Sequence, residues 1–208
     1  MKDIISKLLI LFIFLLPFGN LFRIQIGTNI HINPHEVVVL LISLCMLIFF
    51  LNKRIYLSNN FFSYQVGFIC VGVISLILNI VNFSDILIPQ AALYSVRYLC
   101  YLPLIFATQF INKERLYVFI GISGAVFVSI GFIQYFFLND LRPLFYLGWD
   151  NHLYRLTSSL FDPNFAGVFL VILFFIFLQG TIQKKHLAGY MYTFLSLATI
   201  LAIYLTFS

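Results

Sequence analysis

Charge is scarce in this sequence. Of 208 residues only 9% are Asp, Glu, Lys or Arg, where a soluble domain carries roughly a quarter, so most of the chain has no water to face. The alternating pattern of an outer-membrane barrel is also missing. Instead 62% of the residues are hydrophobic, and they gather in unbroken runs of about 20, the length that crosses a bilayer. Backbone groups in hydrocarbon must be satisfied within their own segment, so these runs are predicted to be helices. The expected fold is all-α, a polytopic transmembrane helix bundle forming a single domain over residues 1–208.

Other absences exclude chemistries. The three cysteines, Cys45, Cys70 and Cys100, lie inside apolar runs with no CxxC or metal spacing and read as small apolar filler. The four histidines, His31, His35, His152 and His186, show no HExxH-type pattern, and no metal is expected. A Gly-rich phosphate loop followed by lysine is absent, which argues against nucleotide hydrolysis. Internal repeats and low-complexity tracts are absent too. The net charge of +5 is spread over separate short loops with no basic stripe, so nucleic acid is not an expected partner.

Seven spans are predicted, over residues 5–22, 36–51, 61–81, 87–110, 116–138, 163–182 and 187–207. The first has lysines before an apolar core, as a signal peptide does, but Pro17-Phe18-Gly19-Asn20 offers no small-x-small cleavage site, so it is read as a retained helix. Basic residues in short loops stay on the cytoplasmic side. Lys2 and Lys7, Lys53 and Arg54, Lys113 and Arg115, and Lys184 and Lys185 fall at the amino terminus and after spans two, four and six, and they include every lysine. The amino terminus is therefore expected inside. Residues 23–35, 82–86 and 139–162 are expected outside, with Asp85, Asp140, Asp150, Asp162, Arg23, Arg142 and Arg155.

Two polar groups need a reason. Arg97 falls near the middle of the fourth span, where a charge costs about 3 kcal/mol on insertion scales. Helical spacing puts Tyr94, Tyr98 and Tyr101 on its face, so that face is expected to line a cavity or a polar helix interface. Either the arginine is structural, held by backbone carbonyls or an acidic partner, or it grips an anionic substrate. Gln90 and Gln134 are weaker cases of the same kind.

The second group is RLTSSLFDPNFAG, residues 155–167. Asp162 and Pro163 read as a helix start, Asp as N-cap and Pro in the first position. Arg155, Thr157, Ser158, Ser159 and Asn164 are expected to converge on that helix mouth, facing outward beside a dipole end suited to phosphate. The loop before it mixes Phe145, Tyr146, Trp149 and Tyr154 with charged residues. That mixture suits a sugar, whose faces stack on rings, although interfacial anchoring accounts better for the rings alone. The alternation in Arg23–Glu36 predicts a short extended segment.

On Arg155, Ser158, Ser159, Phe161, Pro163, Asn164 and Gly167, together with the intramembrane Arg97, the chain resembles the bacterial O-antigen ligase and polymerase family. The resemblance implies the first part of a longer protein in the bacterial inner membrane. It also implies transfer of undecaprenyl-pyrophosphate-linked glycans in surface-polysaccharide assembly, without nucleotide sugar, metal or other cofactor. The implied partners are lipid-linked oligosaccharide, membrane lipids and other polysaccharide-assembly proteins. Arg155 and Arg97 would neutralise the diphosphate, with Ser158, Ser159 and Asn164 also binding substrate. A flippase for the same lipid-linked glycans, or an inactive membrane fragment, remain as alternatives.

Overall fold

The structure, a computed structural model, describes all residues except 26–30, 54–59, 79–86, 148, 150, 184–185 and 208, with backbone alone at 53, 60–62, 87–90 and 186. Arg54, Asp85, Asp150, Lys184 and Lys185, the Asn82-Phe83-Ser84 segment and the Gln90 side chain thus lie outside the described residues. Of the described residues 83% are helical, with almost no sheet. Among the described residues, five helices are long and apolar enough to cross a membrane: Pro34–Asn52, Ala91–Phe110, Lys113–Phe137, Pro163–Gln183 and Leu187–Thr206. Two compact units divide the chain, one of Met1–Phe12 and Ile24–Lys113, the other of Ile13–Arg23 and Glu114–Ser208.

Helix α1 (Lys2–Leu15), which belongs to the first unit as far as Phe12, is shorter than the span expected over 5–22. Pro17 opens a 3-10 turn at Leu16–Phe18, and Gly19 closes it at φ +46°. Proline cannot donate the next helical hydrogen bond, and this glycine adopts a conformation that costs other residues. The alternation after Arg23 does give a short extended segment, with β1 (Ile24–Gln25) antiparallel to β2 (His31–Ile32). Helices α2 (Pro34–Lys53), α3 (Asn60–Leu78) and α4 (Leu87–Tyr101) follow. The expected 87–110 span is interrupted at Leu102–Pro103 and resumes as α5 (Leu104–Ala107), because Pro103 has no N–H to continue the ladder.

Contact order along the helices gives their directions. Phe12 meets Tyr101 and Lys2 lies over Phe110, so α1 runs antiparallel to α4 and α5. Glu36 meets Arg97, Ser43 meets Cys100 and Phe50 meets Phe106, so α2 runs parallel to them. A chain that crosses twice in one direction needs a return, and α3, packed on α4, lies between the two in sequence. Lys2, close to Phe110, and Phe49, packed on Phe110 at 5.1 Å, bring the amino terminus, the end of α2 and the segment before Lys113 to the same end of this unit.

In the second unit, α6 (Lys113–Phe137), α7 (Pro163–Gln183) and α8 (His186–Thr206) pack in alternating directions. Phe127 stacks edge-on against Phe169, while Gly124 faces Leu173 and Phe177, so α6 and α7 are antiparallel. Gly167 faces Thr206 and Gly180 faces Tyr192, which makes α7 and α8 antiparallel too. The core is Phe127, Val128, Leu156, Ala166, Leu170, Leu173, Phe177 and Ala202. Among apolar neighbours, association depends on close backbone approach rather than on hydrophobic burial, and small residues permit it. A Cβ on Gly180 would lie 2.6 Å from Cγ of Tyr192, at the root of the ring. Gly180→Ala is therefore expected to destabilise the second unit by about 1–3 kcal/mol, while Gly72→Ala on α3, with nothing within 4 Å of a new Cβ, changes the stability of the first unit by less than about 0.5 kcal/mol. Reversible unfolding in detergent micelles measures both.

Candidate functional site

The segment that joins α6 to α7 is an ordered platform. Its two ends pair as an antiparallel bridge between Asp140 and Leu153, closed by Leu141 N–H to His152 O at 3.1 Å and Tyr154 N–H to Asn139 O at 2.8 Å. Leu141, Trp149 and Phe161 form a small core beneath it, with Trp149 stacked on Phe161 at 4.2 Å between ring centroids. Arg23 reaches in from the segment before β1; its guanidinium lies over the Phe161 ring at 5.4 Å and donates to the Leu147 carbonyl. Trp149, read as a sugar-stacking candidate, is thus spent on the platform itself, whereas Phe145, Tyr146 and Tyr154 are exposed.

Gln134 on α6 organises the next stretch. Its Oε1 accepts from the amides of Thr157 (2.8 Å) and Ser158 (3.3 Å), and its Nε2 donates to the carbonyls of Leu138 and Arg155, both at 3.2 Å. A buried amide side chain offers two donors and an acceptor with two lone pairs, and here both sides are used. Leu156 N–H donates to Leu205 O at 2.9 Å, which ties the loop to the last turn of α8. Among the described residues, three that are not glycine have left-handed backbone: Tyr154 (φ 54°), Ser158 (φ 50°) and Phe161 (φ 68°). All three lie in eight consecutive positions around Arg155. Such conformations persist only where surrounding contacts enforce them, and they cluster at functional sites.

The expectation that the hydroxyls face outward is corrected. Thr157, Ser158 and Ser159 are fully buried. Ser158 Oγ donates to the Phe127 carbonyl at 2.8 Å. Ser159 is covered by the turn at Gly19–Asn20, where Asn20 N–H donates to Ser159 O at 2.8 Å, and its own hydroxyl is buried without a partner among the described residues. A side chain at Gly19 would meet Ser159 O at 2.6 Å, so only glycine allows that approach. Ser158 holds the loop down through its hydroxyl and Ser159 through its backbone carbonyl.

Asp162 is the N-cap of α7: its Oδ1 accepts from the amides of Asn164 (2.6 Å) and Phe165 (3.2 Å), and Pro163 opens the helix. The helix mouth thus already holds a carboxylate, so an incoming phosphate would depend on arginine rather than on these amides. Asn164 is exposed there and Arg155 is half-buried. Arg142 makes a two-pronged pair with Asp140, both bonds at 2.8 Å. The Arg142 guanidinium holds the Asp140 carboxyl below the usual carboxylate range, so the small stability this pair adds is present above that range and is lost as pH falls through the lowered value.

Arg97 belongs to the first unit. Its Nε lies 3.3 Å from Glu36 Oε1, its Nη2 donates to the His31 carbonyl, and its guanidinium lies 5.6 Å from the Tyr94 ring centroid. Tyr98 donates to Gln65 on α3, and Tyr101, with Arg97 and Glu36, lines a cavity between α2 and α4. The polar face expected around Arg97 is therefore there, and its counter-charge is an acidic side chain. Glu36 is the residue that sequence reasoning missed. Its signal was Asn33-Pro34-His35-Glu36, a helix start with a carboxylate three residues after the cap; Glu36 Oε2 accepts from Asn33 N–H at 3.0 Å and Glu36 N–H donates to Asn33 O at 2.9 Å. That places Glu36 in the first turn of α2, facing α4. Among the described residues no group of three or more His, Cys, Asp or Glu could hold a metal ion.

Compared with models of known families, with curated proteins and with solved structures, the chain matches none. Any functional reading therefore rests on the residues themselves. Gln134→Leu is expected to leave the Thr157 and Ser158 amides without an acceptor and to lower stability by about 3 kcal/mol, visible as a fall in melting temperature of the purified protein.

Proposed function

We propose that this chain is part of a membrane protein that transfers glycan units carried on undecaprenyl pyrophosphate at the outer face of a bacterial cytoplasmic membrane, as a polymerase or ligase of surface polysaccharide. The observation that carries this reading is the concentration of left-handed backbone around Arg155, in a loop pinned by Gln134 and braced by Arg23. So much constraint on one loop is costly in an otherwise regular helical protein, and it preorganises the arginine that precedes α7. In such a transfer, an acceptor hydroxyl attacks the anomeric carbon, the bond from that carbon to the phosphate oxygen breaks, and the pyrophosphate leaves with its negative charge. A fixed guanidinium meets that charge as it grows. Asp162 is committed to the helix cap, so the proton released by the acceptor hydroxyl passes to water at the outer surface.

Seven spans with the amino terminus inside accompany this proposal. Support comes from α1 lying antiparallel to α4 and α2 parallel to it, and from the lysine-bearing ends that meet at Phe110. A single cysteine at Asn151, in a variant whose native cysteines are replaced by serine, is expected to react with a membrane-impermeant maleimide from outside intact cells. Labelling only after the cells are opened would reverse the orientation.

A non-catalytic membrane protein is the second reading, favoured by the internal use of Ser158 and by the Glu36–Arg97 pair. Complementation in the host separates the two. Arg155→Ala should abolish long-chain polysaccharide on a glycan-ladder gel with the protein at normal level, whereas Asp162→Ala should cost about 1 kcal/mol of stability through the lost cap and retain chains. A normal ladder with Arg155→Ala would remove the site from this loop.

A further inference from the structure

The platform between α6 and α7 carries rings that its own packing does not use. Within it a short 3-10 helix, Arg142–Leu147, turns Leu144 inward onto the core of Leu141, Trp149 and Phe161. The residues that follow are turned out: Phe145 and Tyr146 are 65% and 79% exposed, and Leu147 is exposed beside them. Phe136 and Phe137, in the last turn of α6, are exposed as well, Phe137 to 81%. So much uncovered apolar surface within one short stretch marks a contact with another medium or partner.

The height of these rings along the helices names that medium. With 21 residues, α7 rises about 30 Å, the thickness of a bilayer's hydrocarbon core, so as a crossing helix it puts Pro163 at one edge of that core. Phe127 on α6 is level with Phe169 on α7, and antiparallel α6 therefore ends about 6 Å beyond Pro163, within the headgroup layer. The 3-10 helix stays near the same height, because Leu144 packs on the core that includes Phe161, two residues before Pro163.

Charge decides between lipid and sugar as the covering partner. A glycan site sets hydrogen-bonding side chains beside its stacking rings, but here Arg142 is bound to Asp140, Arg23 lies over Phe161, and Asp162 caps α7. Trp149, the broadest ring, is inside the platform. No lysine occurs between Lys113 and Lys184 to hold this surface out in water. The glycan transfer proposed above asks Arg155 to meet a pyrophosphate and asks nothing of these rings.

We infer that Phe136, Phe137, Phe145 and Tyr146 form an interfacial anchor, with their rings set into the headgroup–acyl boundary of the leaflet that meets this end of α6 and α7. The platform then lies on the membrane instead of standing in water. The inference is independent of glycosyl transfer and of which side of the membrane the loop occupies, and it requires only that α6 and α7 cross a bilayer. Nitroxides attached singly to Phe145→Cys and Tyr146→Cys test it, in the full chain with its native cysteines replaced by serine and reconstituted in phosphatidylcholine nanodiscs. Their collision rates with oxygen and with a water-soluble nickel chelate give depth, read against lipids labelled at known carbons. Both positions are expected about 5–10 Å inside the phosphate level, with oxygen collisions favoured. Nickel collisions at both positions exceeding those of a headgroup-labelled lipid would overturn the inference, as would be found for rings open to water or reserved for a sugar. Tyr146→Trp keeps a ring in place, and the emission it adds to that of the unaltered protein is expected to fall when the lipid is brominated near the start of its acyl chains. Added emission that brominated lipid leaves unchanged and aqueous iodide quenches would likewise overturn it.

Discussion

A charge or amide placed among apolar helices must find its partner within the protein, and that constraint organises both units. In the first, it draws the amino-terminal turn of α2 against α4 through Glu36 and Arg97. In the second, it draws the α6–α7 loop down onto α6 through Gln134, whose amide satisfies two backbone donors and two carbonyls. The same reasoning explains why Ser158 donates to Phe127 O and Ser43 faces the carbonyls of Val39 and Cys100. Arg97, Gln134, Ser43 and Ser158 are thus fastening points between segments distant in sequence. Unpaired, each would cost more than the paired contact contributes.

Between these points, the helices pack by shape. Glycines 121, 124 and 131 on α6 and 180 on α7 stand where Tyr192, Leu173, Phe177 and Leu156 come closest. Without a hydrophobic gain from leaving lipid, such close approach and dispersion supply the attraction. Gly67 and Gly72 on α3 meet nothing within 4 Å, so small residues alone do not mark an interface. The loop before α7 uses a different device, a stack of Arg23, Phe161 and Trp149 that substitutes for a larger core. Its rigidity positions Arg155 and leaves Phe145, Tyr146 and Tyr154 on the surface.

Helical class and the approximate extent of α2, α6, α7 and α8 were legible in the sequence, because hydropathy over 20 residues is a local property. The Asp162-Pro163 helix start was legible for the same reason, since a cap is decided within four residues. Pairing across distance was not. Arg97 announced that it needed a partner, but Glu36 stands 61 positions away, and periodicity within one helix says nothing about which face of another it meets. The serines of 155–167 were misread as outward-facing because their polarity was taken for exposure, when the backbone turns at Ser158 and Phe161 bury them. The early end of α1 was written in Pro17 and Gly19 but outweighed by the apolar residues that follow.

Pairing of Arg97 with Glu36 is the most exacting instance of the constraint, and a double-mutant cycle measures it directly. Glu36→Gln keeps the acceptor for Asn33 N–H while removing the carboxylate charge, and Arg97→Met removes the cation. Reversible unfolding in lipid bicelles of the unaltered protein, the two single variants and the double variant gives the coupling. Each single variant should lose about 3 kcal/mol or more, and the double variant should lose clearly less than the sum, because neither charge is then left alone. Strictly additive losses, or an Arg97→Met variant within about 0.5 kcal/mol of the unaltered protein, would contradict the account.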